Sequence, residues 1–433
     1  MSGKILTDKP AVLVDEPVSF TVSGCTPGET IVVRAAWTIG DEQVETEARF
    51  VAPPDGIVDP AQLPSAGGTY TGIEPYGLWW SIAAPEVPED PDPLGSWTVS
   101  ITAAGRDWED SAIVVRRKVE PSVRALPVRA GRLRGISFLP DRPAPLPAII
   151  VFSGSGGGLG GVTSSAALLA SHGFAVLALA YFGYDDLPAD LAEIPLEYFL
   201  EAIEWLKSEA HPAVGSIGVM GGSRGGELAL LLGSTYPDEI SAVVAKVPSG
   251  VVWSGISKDP ARNPPAWTFR GQPVTRMKAY PRDPAGLPVR DGGIALTPGF
   301  EARLAAASDE DLAAAEIPVE QCGGPVLLLS AEDDAMWPST ALAEIAVRRA
   351  SRYGTRRPIR HIRYPDAGHT FGTPAGLPIA RRAVHPLRGE TYAYGGSLTG
   401  NAHASVESWG QILDFLRSSL AARGPARPVA TGP

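Results

Sequence analysis

Cysteine is nearly absent: Cys25 and Cys322 are the only two in 433 residues. Two cysteines so far apart allow one disulfide at most and exclude a disulfide framework, and neither stands in a zinc-ligand spacing. No metal site is therefore expected. Histidine is scarce as well, with six residues, so few side chains compete for the role of a general base. There is no run of about 18 apolar residues, so no membrane span is expected. The opening stretch Met1-Ser2-Gly3-Lys4-Ile5-Leu6 lacks the apolar segment of a secretory leader, and the closing Ala430-Thr431-Gly432-Pro433 carries no targeting tripeptide. Cytoplasm is the expected compartment. Basic residues are the minority, 37 Lys and Arg against 48 Asp and Glu, for a net charge of −11. A nucleic-acid partner would demand a basic face, so none is expected.

What is present is a globular composition, 44% hydrophobic and 20% charged, long enough for two domains. The texture changes near residue 125. Before it, apolar residues alternate with period two: Val18, Phe20 and Val22; Ile31, Val33, Ala35 and Trp37; Trp97, Val99 and Ile101. Turn residues separate these stripes, which predicts an immunoglobulin-like β-sandwich over residues 1–125. From 126 to 433 the pattern is α/β. Ala148–Phe152, Ala175–Ala180, Ile217–Met220, Ala242–Val247 and Val326–Leu329 are continuous apolar runs, as expected of parallel strands buried on both faces. Leu196, Phe199, Leu200, Ile203 and Leu206 share one face of an intervening helix. Residues 251–320, rich in Pro, Arg and Trp, break this rhythm and are expected to form an insertion above the carboxyl edge of the sheet, where lids belong.

The most informative stretch is Gly221-Gly222-Ser223-Arg224-Gly225. It is a Gly-x-Ser-x-Gly pentapeptide between an apolar strand and an apolar helix, the context that a nucleophile elbow requires. The turn at the serine is so sharp that its neighbours must be small. This predicts an α/β-hydrolase fold, with the hydroxyl of Ser223 raised above the sheet. A serine is a weak nucleophile and needs a base oriented by a third group. In this fold the partners follow in the order acid, then histidine. Ala331-Glu332-Asp333-Asp334 follows the strand at 326–329, and His369 ends the loop Tyr364-Pro365-Asp366-Ala367-Gly368-His369. His369 is the expected base. Asp334 is favoured over Asp333 as the orienting acid because Trp337-Pro338 follows it at a familiar spacing.

An oxyanion needs two N–H donors. One is expected from Arg224 and the second from Ser155 or Gly156, in the loop Ser153-Gly154-Ser155-Gly156-Gly157-Gly158 after the strand ending at Phe152. That loop has no Gly-Lys-Ser/Thr ending, so a nucleotide role is not expected and no cofactor is implied. The other histidines stand outside this constellation: His172 is expected to be structural, His403 a cap or surface residue, and His211, His361 and His385 have no catalytic context. Arg262, Arg270, Arg276 and Lys278 lie within reach of a role with phosphates, although a solvated basic face is the simpler expectation.

With these residues assembled, the chain resembles the acyl-CoA thioesterase / bile acid-CoA:amino acid N-acyltransferase family over almost its whole length. Ser153–Leu159 resembles that family's Gly-Thr-Gly-Gly-Gly loop. Ala178–Pro188 and Leu196–Phe199 are similar to its next strand and helix. Gly222-Ser223-Arg224-Gly225-Gly226-Glu227-Leu228 resembles its Ile-Ser-Lys-Gly-Gly-Glu-Leu turn, with Arg224 in place of Lys. Asp333–Trp337, Gly368-His369 and Gly77-Leu78-Trp79-Trp80 also match. The resemblance implies a sandwich packed on an α/β-hydrolase that cleaves acyl-CoA thioesters. The acyltransferase branch characteristically uses Cys, whereas here the nucleophile is Ser, which favours hydrolysis. Transfer to an amine or alcohol, an esterase or peptidase of a biosynthetic pathway, and a non-enzymatic binding protein are the alternatives.

Overall fold

The computed structural model describes residues 3–82, 92–143, 145–210, 216–259, 261–277, 286–355, 357–371 and 376–420. His211 and Lys278 lie outside the described residues. The amino-terminal part is a six-stranded sheet whose order is Ala11–Leu13, Glu109–Arg117, Ser96–Ala104, Thr30–Ile39, Glu42–Val51 and Gly67–Gly68. Neighbours are antiparallel except Ala11–Leu13, which runs parallel to Glu109–Arg117. The alternation read from the sequence is the alternation of burial, since Ile31, Val33, Ala35 and Trp37 all point inward. The layer packed on this sheet is slight. It comprises a ribbon of Lys4–Thr7 paired with Phe20–Ser23, and the buried helix Gly77–Trp80.

The larger sheet has eight strands: β1 (Val123–Ala130), β2 (Leu133–Pro140), β3 (Ala148–Phe152), β4 (Ala175–Ala180), β5 (Ile217–Gly222), β6 (Ala242–Lys246), β7 (Val326–Ala331) and β8 (Ile359–Tyr364). Their spatial order is 1-2-4-3-5-6-7-8. β2 is antiparallel to both β1 and β4, and β3 to β8 are mutually parallel. The residues of β3 and β4 are buried without exception, which is why they read as unbroken apolar runs. The main flanking helices are α1 (Thr163–Ser171), α2 (Glu197–Trp205), α3 (Arg224–Thr235), α4 (Ser339–Tyr353) and α5 (Leu398–Leu420). β1 straddles the expected 125/126 boundary, because all eight of its residues pair with β2.

Buried polar groups tie the two sheets together. Asp15 Oδ2 lies 2.6 Å from His172 Nε2 and accepts the indole N–H of Trp409 at 2.7 Å. Arg116, fully buried, donates to the carbonyls of Gly376 and Val14 and lies 4.7 Å over the ring of Trp79. Burial pushes its guanidinium down to about 9. Cys25 and Cys322 are both free and buried.

Candidate active site

Ser223 sits between the end of β5 and the start of α3 with φ 57° and ψ −122°, a conformation costly for a residue with a Cβ. The glycines around it answer steric demands. A Cβ on Gly221 would lie 2.2 Å from the carbonyl oxygen of Gly225, and one on Gly225 would lie 2.5 Å from that of Ser153. The N–H of Ser223 donates to the carbonyl of Lys246 at 2.9 Å, which fixes the turn to β6. α3 begins at the next residue, so Ser223 stands at the amino-terminal, positive end of that helix.

The loop after β3 crosses this turn. A Cβ on Gly154 would stand 3.3 Å from the Cβ of Ser223 and 3.9 Å from the backbone N of Arg224. Ser155 and Gly156 follow immediately, and both line a cavity with Ser223. Gly157 and Gly158 have φ of 68° and 58°, so the loop bends back there, and Gly158 N–H donates to Phe182 O at 3.0 Å.

On the adjacent strands, β7 delivers Asp334 and β8 delivers His369. His369 Nδ1 lies 3.0 Å from Asp334 Oδ1 and 2.9 Å from Oδ2. Asp334 is buried, and its Oδ1 also accepts the backbone N–H groups of Met336 at 2.9 Å and Trp337 at 3.3 Å. Asp333 turns elsewhere, into a bidentate ion pair with Arg290 at 2.5 Å that holds its carboxyl below the usual range. The histidine loop is clamped from α5: Asn401, fully buried, accepts Gly368 N–H at 2.7 Å and donates to Gly395 O at 3.1 Å. His369 N–H donates to Tyr394 O at 2.7 Å, and the Tyr394 ring stacks on the imidazole with centroids 6.2 Å apart. Ser223 and His369 line the same cavity of about 250 Å³.

A second cavity, of about 390 Å³, shares Ser155, Ser223, Met336, His385 and Tyr392 with the first. Its aromatic wall is Trp253, Phe300 and Trp337, stacked edge to face with centroids 4.9 and 5.9 Å apart. Several contributing residues were not visible as site residues in the sequence. The side chain of Arg224, rather than only its N–H, builds this wall by donating to the carbonyls of Ser254 at 2.9 Å and Trp253 at 3.0 Å and to Glu227 at 3.1 Å. A lysine has one nitrogen and lacks the fork to reach three separate acceptors. Glu227, fully buried, also accepts the indole N–H of Trp267 at 2.8 Å, and burial pushes its carboxyl up to about 7 against the opposing pull of Arg224. Lys246 lines the smaller cavity, where burial pushes its ammonium down to about 8.

His385, which has no catalytic context in the sequence, lines both cavities. His172 is structural, and His403 lies exposed with Nε2 2.6 Å from Glu74 Oε1. His361 is 2.8 Å from Ser330 Oγ. Of the basic residues weighed for phosphates, Arg262 lines the larger cavity, Arg276 bonds to Ser254 and Asn263, and Arg270 is exposed.

A mostly parallel sheet in the order 1-2-4-3-5-6-7-8, with a strained serine between its fifth strand and the following helix, defines an α/β-hydrolase. Comparison with known proteins narrows the class. The family model for the BAAT / acyl-CoA thioester hydrolase C terminal matches residues 194–422, and the model for the acyl-CoA thioester hydrolase/BAAT N-terminal region matches residues 15–130. The chain is 33% identical over 422 residues to human acyl-coenzyme A thioesterase 1, covering 94% of each chain. It is 32% identical over 425 residues to mouse mitochondrial acyl-coenzyme A thioesterase 2, covering 94% of this chain and 87% of that protein. Among solved structures, a thermostable esterase from Pseudomonas putida superposes with a TM-score of 0.42 at 14% identity, over 69% of this chain and 83% of that one. The chain belongs to the acyl-CoA thioester hydrolase/BAAT family.

Proposed function

We propose that the protein hydrolyses acyl-CoA thioesters through an acyl-serine intermediate. The observation that carries this reading is the two-oxygen hold of Asp334 on Nδ1 of His369, in a cavity that the imidazole shares with the strained Ser223. Nδ1–H bound to the carboxylate leaves Nε2 as the basic nitrogen. Ser223 Oγ attacks the thioester carbonyl carbon while His369 takes its proton. The oxyanion formed is stabilised by N–H donors from Arg224 and from Ser155 or Gly156. The C–S bond then breaks, and the proton passes from His369 to the departing sulfur. Water attacks the acyl-serine with His369 again as base, releasing the acid and restoring the hydroxyl.

The names of the relatives support the substrate class, since human thioesterase 1 covers nearly the whole chain. We also propose that residues 1–125 brace the catalytic unit of 126–433 and that 251–320 acts as its lid. The lid reading is supported by Trp253, Phe300 and Arg303 lining the larger cavity. Cytoplasm is the proposed compartment. No helix among the described residues is long and apolar enough to cross a membrane, and imaging of a tagged chain tests the location.

The experiment is thiol release from acyl-CoAs of graded length, with wild type beside Ser223→Ala, and with and without glycine or taurine. Release that requires Ser223 and ignores the amine is the expected result. Release that rises with amine, with a conjugate formed, assigns the acyltransferase activity instead. No release from any CoA ester overturns the reading.

A further inference from the structure

We infer that Arg116, in the amino-terminal sandwich, is a positioning residue for His369 and acts through residues 376–381, downstream of the histidine loop. This rests on the reading above in which His369 is the base, and it gives residues 1–125 a task in turnover beyond bracing.

Both flanks of His369 rest on this segment. The backbone N–H of His369 donates to Tyr394 O at 2.7 Å, and the Tyr394 ring stacks on the imidazole. Tyr394 N–H in turn donates to Arg381 O at 2.8 Å. On the other flank, the hydroxyl of Thr370 donates to Ala380 O at 2.8 Å. Two consecutive carbonyls, those of Ala380 and Arg381, therefore hold the neighbours of the imidazole. At its other end the segment meets the sandwich, where Arg116 donates to Gly376 O at 3.0 Å and to Val14 O. The approach is close: Gly376 has φ 72°, and a Cβ on it would lie 2.5 Å from Val14 O and 2.6 Å from Arg116 Nη2. Between the two ends, Ile379 is buried in an apolar cluster that also holds Val14, Leu78 and Trp79.

Packing alone does not account for a guanidinium here. Arg116 is fully buried over the ring of Trp79, and its hydrogen bonds among the described residues go to backbone carbonyls, not to a carboxylate. Burying a cation without an anionic partner is costly, and an apolar side chain would fill the space without that cost. What the guanidinium adds is direction. Its planar fork holds two carbonyls at once, Val14 on the sandwich side and Gly376 on the hydrolase side. The start of the segment is thereby set relative to the sandwich, and its end sets Thr370 and Tyr394 around His369.

The test compares Arg116→Met, Arg116→Lys and Asp15→Ala with wild type, in the full chain at low temperature, with the folded fraction of each measured by near-ultraviolet circular dichroism. Asp15 joins the same two units through His172 and Trp409 rather than through 376–381, so it controls for general loosening. Two readouts are taken: steady-state kinetics on one acyl-CoA, and the downfield proton resonance of His369 Nδ1–H, assigned by its loss in His369→Gln. Arg116→Met should lower kcat per folded molecule by about 10- to 100-fold with KM within about threefold, the scale of a small misplacement of a reacting group. The resonance should shift or broaden with it. Arg116→Lys, whose one nitrogen cannot fork between two carbonyls, should restore part of both readouts. Asp15→Ala should lose stability and keep kcat and the resonance near wild type. If Arg116→Met fails to fold, Thr370→Val decides in its place, since it cuts the link at Ala380 with the sandwich intact and should give a loss of the same kind. A wild-type kcat and resonance in the deciding variant overturns the inference, and so does an equal loss in Asp15→Ala. If wild type cleaves no CoA ester, the thioesterase reading falls, and the resonance still decides whether Arg116 positions His369.

Discussion

Nε2 of His385 lies 3.0 Å from Oγ of Ser155, and the N–H of Leu387 donates to His385 Nδ1 at 3.2 Å. Because Nδ1 accepts, the neutral imidazole carries its proton on Nε2 and donates it to the serine. His385 is thereby a clamp on the loop that crosses Ser223. His385→Ala should lower kcat by about 10- to 100-fold, less than or equal to the loss of an oxyanion donor, with a smaller change in KM. His385→Gln, which keeps an N–H donor, should recover part of kcat. Steady-state kinetics on one acyl-CoA checks both, and an unchanged kcat in His385→Ala removes the clamp.

The two neighbouring acids should separate cleanly. Asp334→Asn leaves the wrong tautomer of His369 in place and should cost about 10⁴ in kcat. Asp333→Asn disturbs a half-exposed ion pair with Arg290 and keeps an oxygen able to accept the N–H of Gly396, so it should stay within about threefold of wild type. Equal losses in the two variants would show that the acid has been misassigned.

The backbone of Ser223 stores strain at φ 57°. Ser223→Gly should abolish thioester cleavage and at the same time raise the thermal midpoint, since glycine adopts this conformation without the cost of about 1–3 kcal/mol. A melting comparison of wild type, Ser223→Ala and Ser223→Gly reads this directly. A lower midpoint for the glycine variant than for the alanine variant would contradict it.

Glu227 predicts a pH dependence of stability. Its carboxyl titrates at about 7 when folded against an ordinary value of 4.5, because burial disfavours the charge. Between those values the folded chain holds a proton that the unfolded chain has released, so raising the pH favours unfolding. The stabilisation from this group is full below about pH 4.5 and is lost as pH rises through about 7. Glu227→Gln should flatten that part of the stability profile. Melting curves of both proteins between these pH values decide, and parallel profiles would refute the assignment.

Asp15 joins the amino-terminal sheet to α1 and α5 through His172 and Trp409. Asp15→Ala strands both partners in the interior and should destabilise the protein by about 3–5 kcal/mol. Chemical denaturation with activity recorded alongside measures it. Loss of stability with retained turnover at low temperature is the expected pattern, since none of the three residues lines either cavity.

Much of this molecule was legible before its coordinates. The strands at 148–152 and 175–180 announce themselves because both faces are buried, which leaves no room for polar residues. The turn at Ser223 is legible because its steric demand is local: Gly221 and Gly225 lie within the pentapeptide whose backbone they accommodate. His369 is marked by its loop after a strand. The choice between Asp333 and Asp334 rested on the spacing to Trp337, and the carboxylate directions that distinguish them depend on Arg290 and Gly396, remote in the chain.

His385, Asn401 and the carboxylate of Glu227 carry no signal in the sequence for the contacts the structure gives them. Each acts through a partner brought near by strand order and register: Ser155 for His385, Gly368 for Asn401, and Trp267 and Trp253 for Glu227. The sequence by itself determined the class of fold and the tight turn that holds Ser223, because periodicity and close backbone approach are properties of neighbouring residues. The tertiary structure alone decided what surrounds Ser223, because burial, tautomer and shifted ionisation arise only where segments far apart in the chain converge.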